Sequence, residues 1–351
     1  MGLHAWSWLF LAFYIMVMAI MGWIGARRVT SADDFATARG AYGPLLLALA
    51  FASTVASGST FLGMPGLTYT YGLSTLWIAF MYPIGIYIGL LICQRTIGRY
   101  GNLARARSIP EYLGERYLSE GLRLSAAVLS LLLLFYLAGQ LVAGLVMFEM
   151  MLGMSKLSAL VITTLVLLGY VTLGGAHADI LTDGAQGLLM IILALMIMVI
   201  FLAGVGSGGL GSLLDSLRGQ DPVLLDNFNP GMAITASMWS YVTLTLAHVP
   251  MGLLPHIGNK LWALKDEGSR NRFLLLAFCF SFILPAITLG GASARAILGG
   301  ELLVNGAGGA NNALPALFVA IFPAWLAALL GVGVLAAVMS TADGLVISTS
   351  Q

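Results

Sequence analysis

Leu45-Leu-Leu-Ala-Leu-Ala-Phe-Ala-Ser-Thr-Val-Ala-Ser-Gly-Ser-Thr-Phe-Leu-Gly-Met-Pro-Gly66 is apolar at its start, but its middle holds Ser53, Thr54, Ser57, Gly58, Ser59 and Thr60. Gly58 lowers helix propensity at midspan, and short hydroxyls compete for backbone partners. A helix interrupted there frees carbonyls and half-helix ends. Hydrocarbon tolerates such a break only where it faces protein or a wet cavity. The same residues also suit a close helix-packing face of small side chains. Residue types alone leave both readings open.

The surroundings of that stretch set the class. The chain is 59% hydrophobic and 9% charged, with mean hydropathy +0.95. A soluble chain with so little charge could not cover its own surface. Apolar runs of about 20 residues, long enough to span a bilayer, recur throughout. Nine are readable, roughly 6–25, 43–72, 74–97, 122–152, 157–176, 180–205, 232–256, 271–298 and 316–349. The expected fold is therefore all-α and polytopic, one membrane domain over 1–351 embedded in a lipid bilayer. The first run lacks a basic start and ends at Arg27-Arg28, so it is a retained helix, not a signal peptide. A formal charge of +1 argues against a nucleic-acid partner. Cys93 and Cys279 lie in separate apolar runs without metal-ligand spacing, which predicts two buried, inert thiols.

Basic residues orient the spans. With the N-terminus outside, the inner loops hold every Lys and Arg except Lys156, Arg218 and Arg295. That asymmetry is the positive-inside pattern, and an odd helix count is consistent with it. The outer loop from Gly206 to Pro230 is weakly acidic, with Asp215, Asp221 and Asp226, and reads as solvated.

A second interruption lies in the seventh span, where Pro250 removes a backbone donor, Gly252 follows and His248 is adjacent. Interrupted spans five helices apart suit inverted-repeat transporters, whose halves carry broken helices at matching positions. The ninth span carries Ser340, Thr341 and Asp343 among apolar residues. An ionisable group at membrane depth is by default a functional one. Hydroxyls with carbonyls freed by a broken helix form a hard-oxygen set suited to an alkali cation, although such hydroxyls also bond their own i−4 carbonyl. No His-Glu-x-x-His or comparable catalytic spacing is present, which argues against an enzyme.

At these residues the chain resembles the sodium:solute symporter family, which includes proline, pantothenate, monocarboxylate and sodium/glucose transporters. The resemblance runs from about Ser31 to Ser350. It rests on Asp34-Phe35, Gly43-Pro44, Ser57-Gly58, Gly63-Met-Pro-Gly66, Tyr69-Thr-Tyr-Gly72, Ile109-Pro-Glu-Tyr112 and Arg116-Tyr117. It continues through Gly174-Gly175, Thr182-Asp183-Gly-Ala-Gln186, Pro255-His256, Lys260 and Ala337-Val-Met-Ser340-Thr341.

The resemblance implies a LeuT-like inverted-repeat fold, in a bacterial-type inner membrane: 6–25 peripheral, 43–205 a first five-helix repeat, and 232–351 an incomplete second one. It implies sodium as coupling ion, held by the carbonyls of Ser53, Ala56 and Ala337 and the hydroxyls of Ser340 and Thr341. Ser57 and Gly58 match the adjoining unwound segment, and Asp183 a position on the ion's inner path. Val55 stands where the proline branch has an aspartate near the ion, so no carboxylate assists the cation from that position. Ala247 and Met251 stand near where that branch uses aromatic residues, which argues against proline as solute. The pattern is similar instead to the pantothenate and monocarboxylate branch. Arg295 offers an attraction for an anion, and Tyr136 and Gln140, one turn apart, are candidate solute-facing groups. The family carries further helices after the ninth span, so the chain is expected to be a truncated form. A proton-coupled carrier using Asp183, Asp343 or His248, or the membrane module of a sensor, stand as alternatives.

Overall fold

The structure is a computed structural model and describes residues 1–304 and 307–351. Their regular structure is helical, apart from one isolated bridge, Tyr42 with Leu264, and the helices are joined by loops and turns. In order they form α1 (Leu3–Arg28), α2 (Ala32–Thr37), α3 (Pro44–Val55), a π-helical turn (Ser59–Gly63), α4 (Met64–Tyr71) and α5 (Thr75–Leu103). Then come α6 (Ile109–Tyr117), α7 (Glu120–Ser130), α8 (Leu133–Leu152), α9 (Lys156–Ala203) and α10 (Leu210–Gln220). The remainder is α11 (Met238–His248), α12 (Pro255–Gly258), α13 (Arg270–Ile283), α14 (Leu289–Leu298), α15 (Ala307–Ala310), α16 (Ala313–Ile321) and α17 (Ala324–Ser350).

Among the described residues, six helical stretches are long and apolar enough to cross a membrane: Leu3–Arg28, Ser59–Leu103, Glu120–Leu152, Gly174–Ala203, Glu267–Leu298 and Ala324–Ser350. The other expected spans are built from shorter pieces. The second joins α3 to α4 through the π-helical turn, and the seventh joins α11 to a 3-10 turn over Val249–Leu253.

Three boundaries and one exposure differ from expectation. The ninth span starts at Ala324, not 316, because Pro323 forces Phe322 out of the helical region (φ −116°, ψ 152°), so α16 is a separate helix. The fifth and sixth spans meet without a loop at Gly175, whose positive φ of 50° makes the kink. The fourth starts at Glu120 and turns at Leu131-Leu132 between α7 and α8. Cys279 is exposed on α13 and Cys93 is half-buried, so neither is a core thiol.

α17 lies at the centre. Every residue from Leu330 to Leu345 is buried, as expected of a helix apolar all round. α9 packs against α1, α3 and α17. Small residues allow that approach: a Cβ on Gly25 would stand 2.7 Å from the Ala178 nitrogen, and one on Gly187 2.5 Å from the Leu49 carbonyl oxygen. Outward faces such as Trp8, Phe13, Met16 and Trp23 on α1 are apolar and exposed.

The loops gather at two ends. At one, Arg39 donates to Asp33, to Asn102 and to the Ala106 carbonyl. That hydrogen bond, outside the spans, holds the Asp33 carboxyl below its usual range. At the other end, His4 bonds the Met151 carbonyl, and Tyr241 donates to the carbonyls of Ser74 and Asn227. The Ile109-Pro-Glu-Tyr112 motif is a helix start: Ser108 caps the Glu111 N–H, and Glu111 accepts from the Arg107 N–H.

Candidate functional site

α3 ends at Val55 because Ala56 leaves the helical region (φ −85°, ψ 92°). A helix terminus leaves its last carbonyls without intrahelical partners. Here three consecutive ones each accept a hydroxyl. Ser340 donates to the Ser53 carbonyl at 3.0 Å, Thr341 to the Thr54 carbonyl at 3.1 Å, and Tyr82 of α5 to the Val55 carbonyl at 2.5 Å. Ser340 also bonds the Ala337 carbonyl at 3.2 Å. Ser53, Thr54, Ser340 and Thr341 are all buried. Residues nearly 290 positions apart in sequence thus meet at one oxygen-lined point.

Of the five oxygens assigned to the ion, the structure brings together those of Ser53, Ala337, Ser340 and Thr341. Ala56 lies at the break itself, with its backbone turned out of the helix. The Thr54 and Val55 carbonyls belong to the same terminus and were missed. Counting the orphan carbonyls of a helix ending at 55 was the signal that would have found them. The set fits an alkali cation: neutral, hard and buried, at the negative end of the α3 dipole. Among the described residues no cluster of three or more His, Cys, Asp or Glu suits another metal.

The break itself is Ala56 and Ser57. Gly58, expected in the unwound segment, is already back in the helical region (φ −53°, ψ −30°), because it starts the π-helical turn; Ser57 and Gly58 are both buried. Gln140 on α8 is buried, and its Oε1 accepts the Gly58 N–H at 2.9 Å. Tyr136 reaches the Ser57 hydroxyl, and its ring lies 5.9 Å from that of His256, edge on. A Cβ at Gly58 would stand 2.9 Å from Ala143 Cβ and from Val338 Cγ2, so the segment is closely packed between α8 and α17. Gln140→Leu leaves a buried N–H without its acceptor, at a cost of about 1–3 kcal/mol. Thermal denaturation in detergent against the parent measures that loss.

Two other predicted groups lie elsewhere. Ala247 is exposed on α11, and Met251 is half-buried in the 3-10 turn, packed against the cluster around Phe51 and Ile86. His248 bonds the Leu244 carbonyl and packs edge on against Tyr82, ring centres 5.1 Å apart. Asp343 is buried within electrostatic reach of Tyr14. Arg295 lies over the Tyr69 ring, 5.4 Å from its centre; its Nε and Nη1 make no hydrogen bond among the described residues.

Asp183 is fully buried beneath the break. Its Oδ2 accepts from Thr54 at 2.7 Å and from Lys260 at 2.9 Å, while its carbonyl accepts from Ser53 at 3.0 Å. Asp183, the predicted inner-path residue, is therefore bonded through its carboxylate to Thr54 and through its main-chain carbonyl to Ser53, the two residues whose own carbonyls face Thr341 and Ser340.

Known proteins are similar to this chain in sequence and in fold. The sequence model of the sodium:solute symporter family matches residues 35–351. The osmoregulated proline transporter OpuE of Bacillus subtilis is 30% identical over 260 residues, 73% of this chain and 51% of the relative. A sodium/pantothenate symporter of Haemophilus influenzae is 29% identical over 313 residues, covering 87% and 62%. The sodium/proline symporter of Escherichia coli is 29% identical over 344 residues, covering 93% and 65%. The chain thus spans between half and two thirds of the length of these relatives. In fold it is similar to a Na+-coupled sialic acid symporter solved in a substrate-bound outward-open state: TM-score 0.77, 20% identity, covering 98% of this chain and 73% of that one. The chain is a multi-pass integral membrane protein with a LeuT-like fold, and it belongs to the sodium:solute symporter family.

Proposed function

We propose that this chain carries the ion- and solute-binding core of a sodium-coupled symporter for a small organic solute, a carboxylate such as pantothenate or a monocarboxylate. One observation carries the reading: the carbonyls released where α3 ends face the Ser340 and Thr341 hydroxyls of α17. Sodium binding there links two spans distant in sequence. It fixes the terminus that leads into Ser57 and Gly58, and so favours the conformation that binds solute. Ligands shift such equilibria only by their differential affinity for the states. Repeats over 43–205 and 232–351, with α1 peripheral, place the two broken spans in equivalent positions. The end rich in Arg and Lys then faces the cytoplasm, in an inner membrane, with the N-terminus outside.

The relatives are named for proline and for pantothenate, so identity alone does not choose the solute. Val55 in place of a carboxylate and the Arg295 guanidinium over Tyr69 favour an anion. Uptake by the full-length protein, tested against carboxylates, amino acids and sugars with and without sodium, decides it. A carboxylate is expected to enter only with sodium. A second reading, proton coupling, draws on the buried Asp179 and Asp183 beside Lys260. Uptake that follows a pH gradient and ignores sodium would select it.

A further inference from the structure

Lys260 is where buried charge concentrates beside the ion site. It lies in the 3-10 turn Asn259–Ala263, just after the break in the seventh span, and is buried. Its ammonium donates to Oδ2 of Asp179 and of Asp183, both buried on α9. Charges withdrawn from water persist only when paired, and removing one partner leaves the others uncompensated.

The backbone around this group ties separate segments together at one end of the bundle. The Gly40 and Tyr42 N–H groups donate to the carbonyls of Trp262 and Ala263, and the Lys265 N–H donates to the Tyr42 carbonyl, each at 2.9 Å. The segment leading into α3 is thereby stitched to the segment following the seventh span. The Trp262 indole donates to the Ile97 carbonyl of α5 at 3.0 Å, and Gln351 donates to the Ala36 carbonyl at 2.6 Å.

Two residues join this closure to the ion site. Thr54 donates its hydroxyl to Asp183 while its carbonyl accepts from Thr341. Ser53 donates to the Asp183 carbonyl while its own carbonyl accepts from Ser340. A cavity of about 20 Å³, lined in part by Asp179, His256, Lys260 and Gly344, lies on this path. That is room for a single water.

We propose that Lys260, clasped by Asp179 and Asp183, is the latch that closes the basic-end path from the ion site, and that Ser53 and Thr54 link it to that site. A cation moving from the α3 terminus toward the basic end meets Asp183 first. There it competes with the ammonium for the same carboxylate oxygen, so its departure loosens the clasp. Lys260 is a positioning residue: among the described residues its ammonium bonds Asp179 and Asp183, not the proposed ion ligands. The inference rests on the symporter reading for the ion's identity; the closure itself stands on the hydrogen bonds.

The test places a thiol behind the latch. A Cβ on Gly344 would lie 3.4 Å from Thr54 Cγ2, 3.5 Å from His256 Cβ and 3.7 Å from Asp179 Oδ1, ordinary contacts, so Gly344→Cys brings its Cβ in without a clash, beside the small cavity that Gly344 helps to line. In the full-length protein with every other cysteine replaced by serine, its reaction with a membrane-impermeant thiol reagent is timed in inside-out vesicles. Lys260→Met and Asp179→Asn are each expected to speed labelling about tenfold. The exchange Lys260→Asp with Asp179→Lys, which restores a pair, is expected to return the slow rate. Rates of both single variants within twofold of the parent, in monodisperse protein, would overturn the latch. So would fast labelling of the exchanged pair. Replacing choline by sodium is expected to slow the parent. A parent indifferent to sodium beside a fast Lys260→Met variant would reject sodium and uphold the latch.

Discussion

Replacing Ser340 and Thr341 together by alanine is expected to raise the sodium concentration for half-maximal uptake about 100-fold, and either alone about tenfold, each tenfold being about 1.4 kcal/mol. Each hydroxyl is both a prospective ligand and the partner of one carbonyl at the α3 terminus, at 3.0 and 3.1 Å. Its loss removes one oxygen from the ion and strands a buried acceptor in the ion's absence. Ser348→Ala is the control. That hydroxyl lies on the same helix but bonds only the Leu345 carbonyl among the described residues, so sodium dependence should not change. A second readout does not need transport. An ion that binds only the folded state raises its melting temperature with concentration. The parent should gain stability as sodium replaces choline, and the double variant should not. Unchanged sodium dependence in both single variants would remove the site assignment.

The broken helices were legible because their signals are local. Gly58 among hydroxyls and Pro250 near Gly252 each mark a stretch where a membrane helix loses backbone bonds; the structure breaks two residues before Gly58, at Ala56, and turns to a 3-10 conformation at Pro250. The meeting of Ser53 with Ser340 was legible only through resemblance, since nothing in spacing brings residues so distant together. Tyr82 was not found. A tyrosine in an apolar span has no local mark, and its role appears only once the Val55 carbonyl is seen to need a donor. Lys260 was one member of a motif without an assigned partner; its clasp depends on which face α9 turns inward. The separate α16 was missed although Pro323 announces it, because hydropathy runs on across the break. Several family motifs proved to be points of close approach. The Phe35 carbonyl, from Asp34-Phe35, would lie 2.3 Å from a Cβ on Gly175, and the Pro65 carbonyl, from Gly63-Met-Pro-Gly66, 1.9 Å from one on Gly291.

The same logic predicts opposite outcomes for two glycine-to-alanine changes in α5. A Cβ on Gly89 would stand 1.9 Å from the Val249 carbonyl oxygen and 3.0 Å from its carbon. The reciprocal position agrees: a Cβ on Gly252 would stand 2.4 Å from the Ile86 carbonyl oxygen and 2.7 Å from the Leu90 nitrogen. One turn earlier, Gly85 meets the Thr245 carbonyl oxygen at 2.4 Å, so Gly85-Ile-Tyr-Ile-Gly89 seats the broken part of the seventh span directly on the α5 backbone. No side chain there can rotate away, because the obstructing atoms are main chain. Gly89→Ala must therefore push Val249 and its neighbours off α5, at a cost of about 3 kcal/mol or more. Gly98 lies on the same helix with nothing within 4 Å of a Cβ. Gly98→Ala should gain about 1 kcal/mol from helix propensity alone. Thermal unfolding in detergent should place the two variants on opposite sides of the parent. Gly89→Ala should also lose solute uptake, since the displaced segment runs on into Lys260 and the closure at the basic end. Equal melting temperatures for both variants would mean that the seventh span is not seated on Gly89.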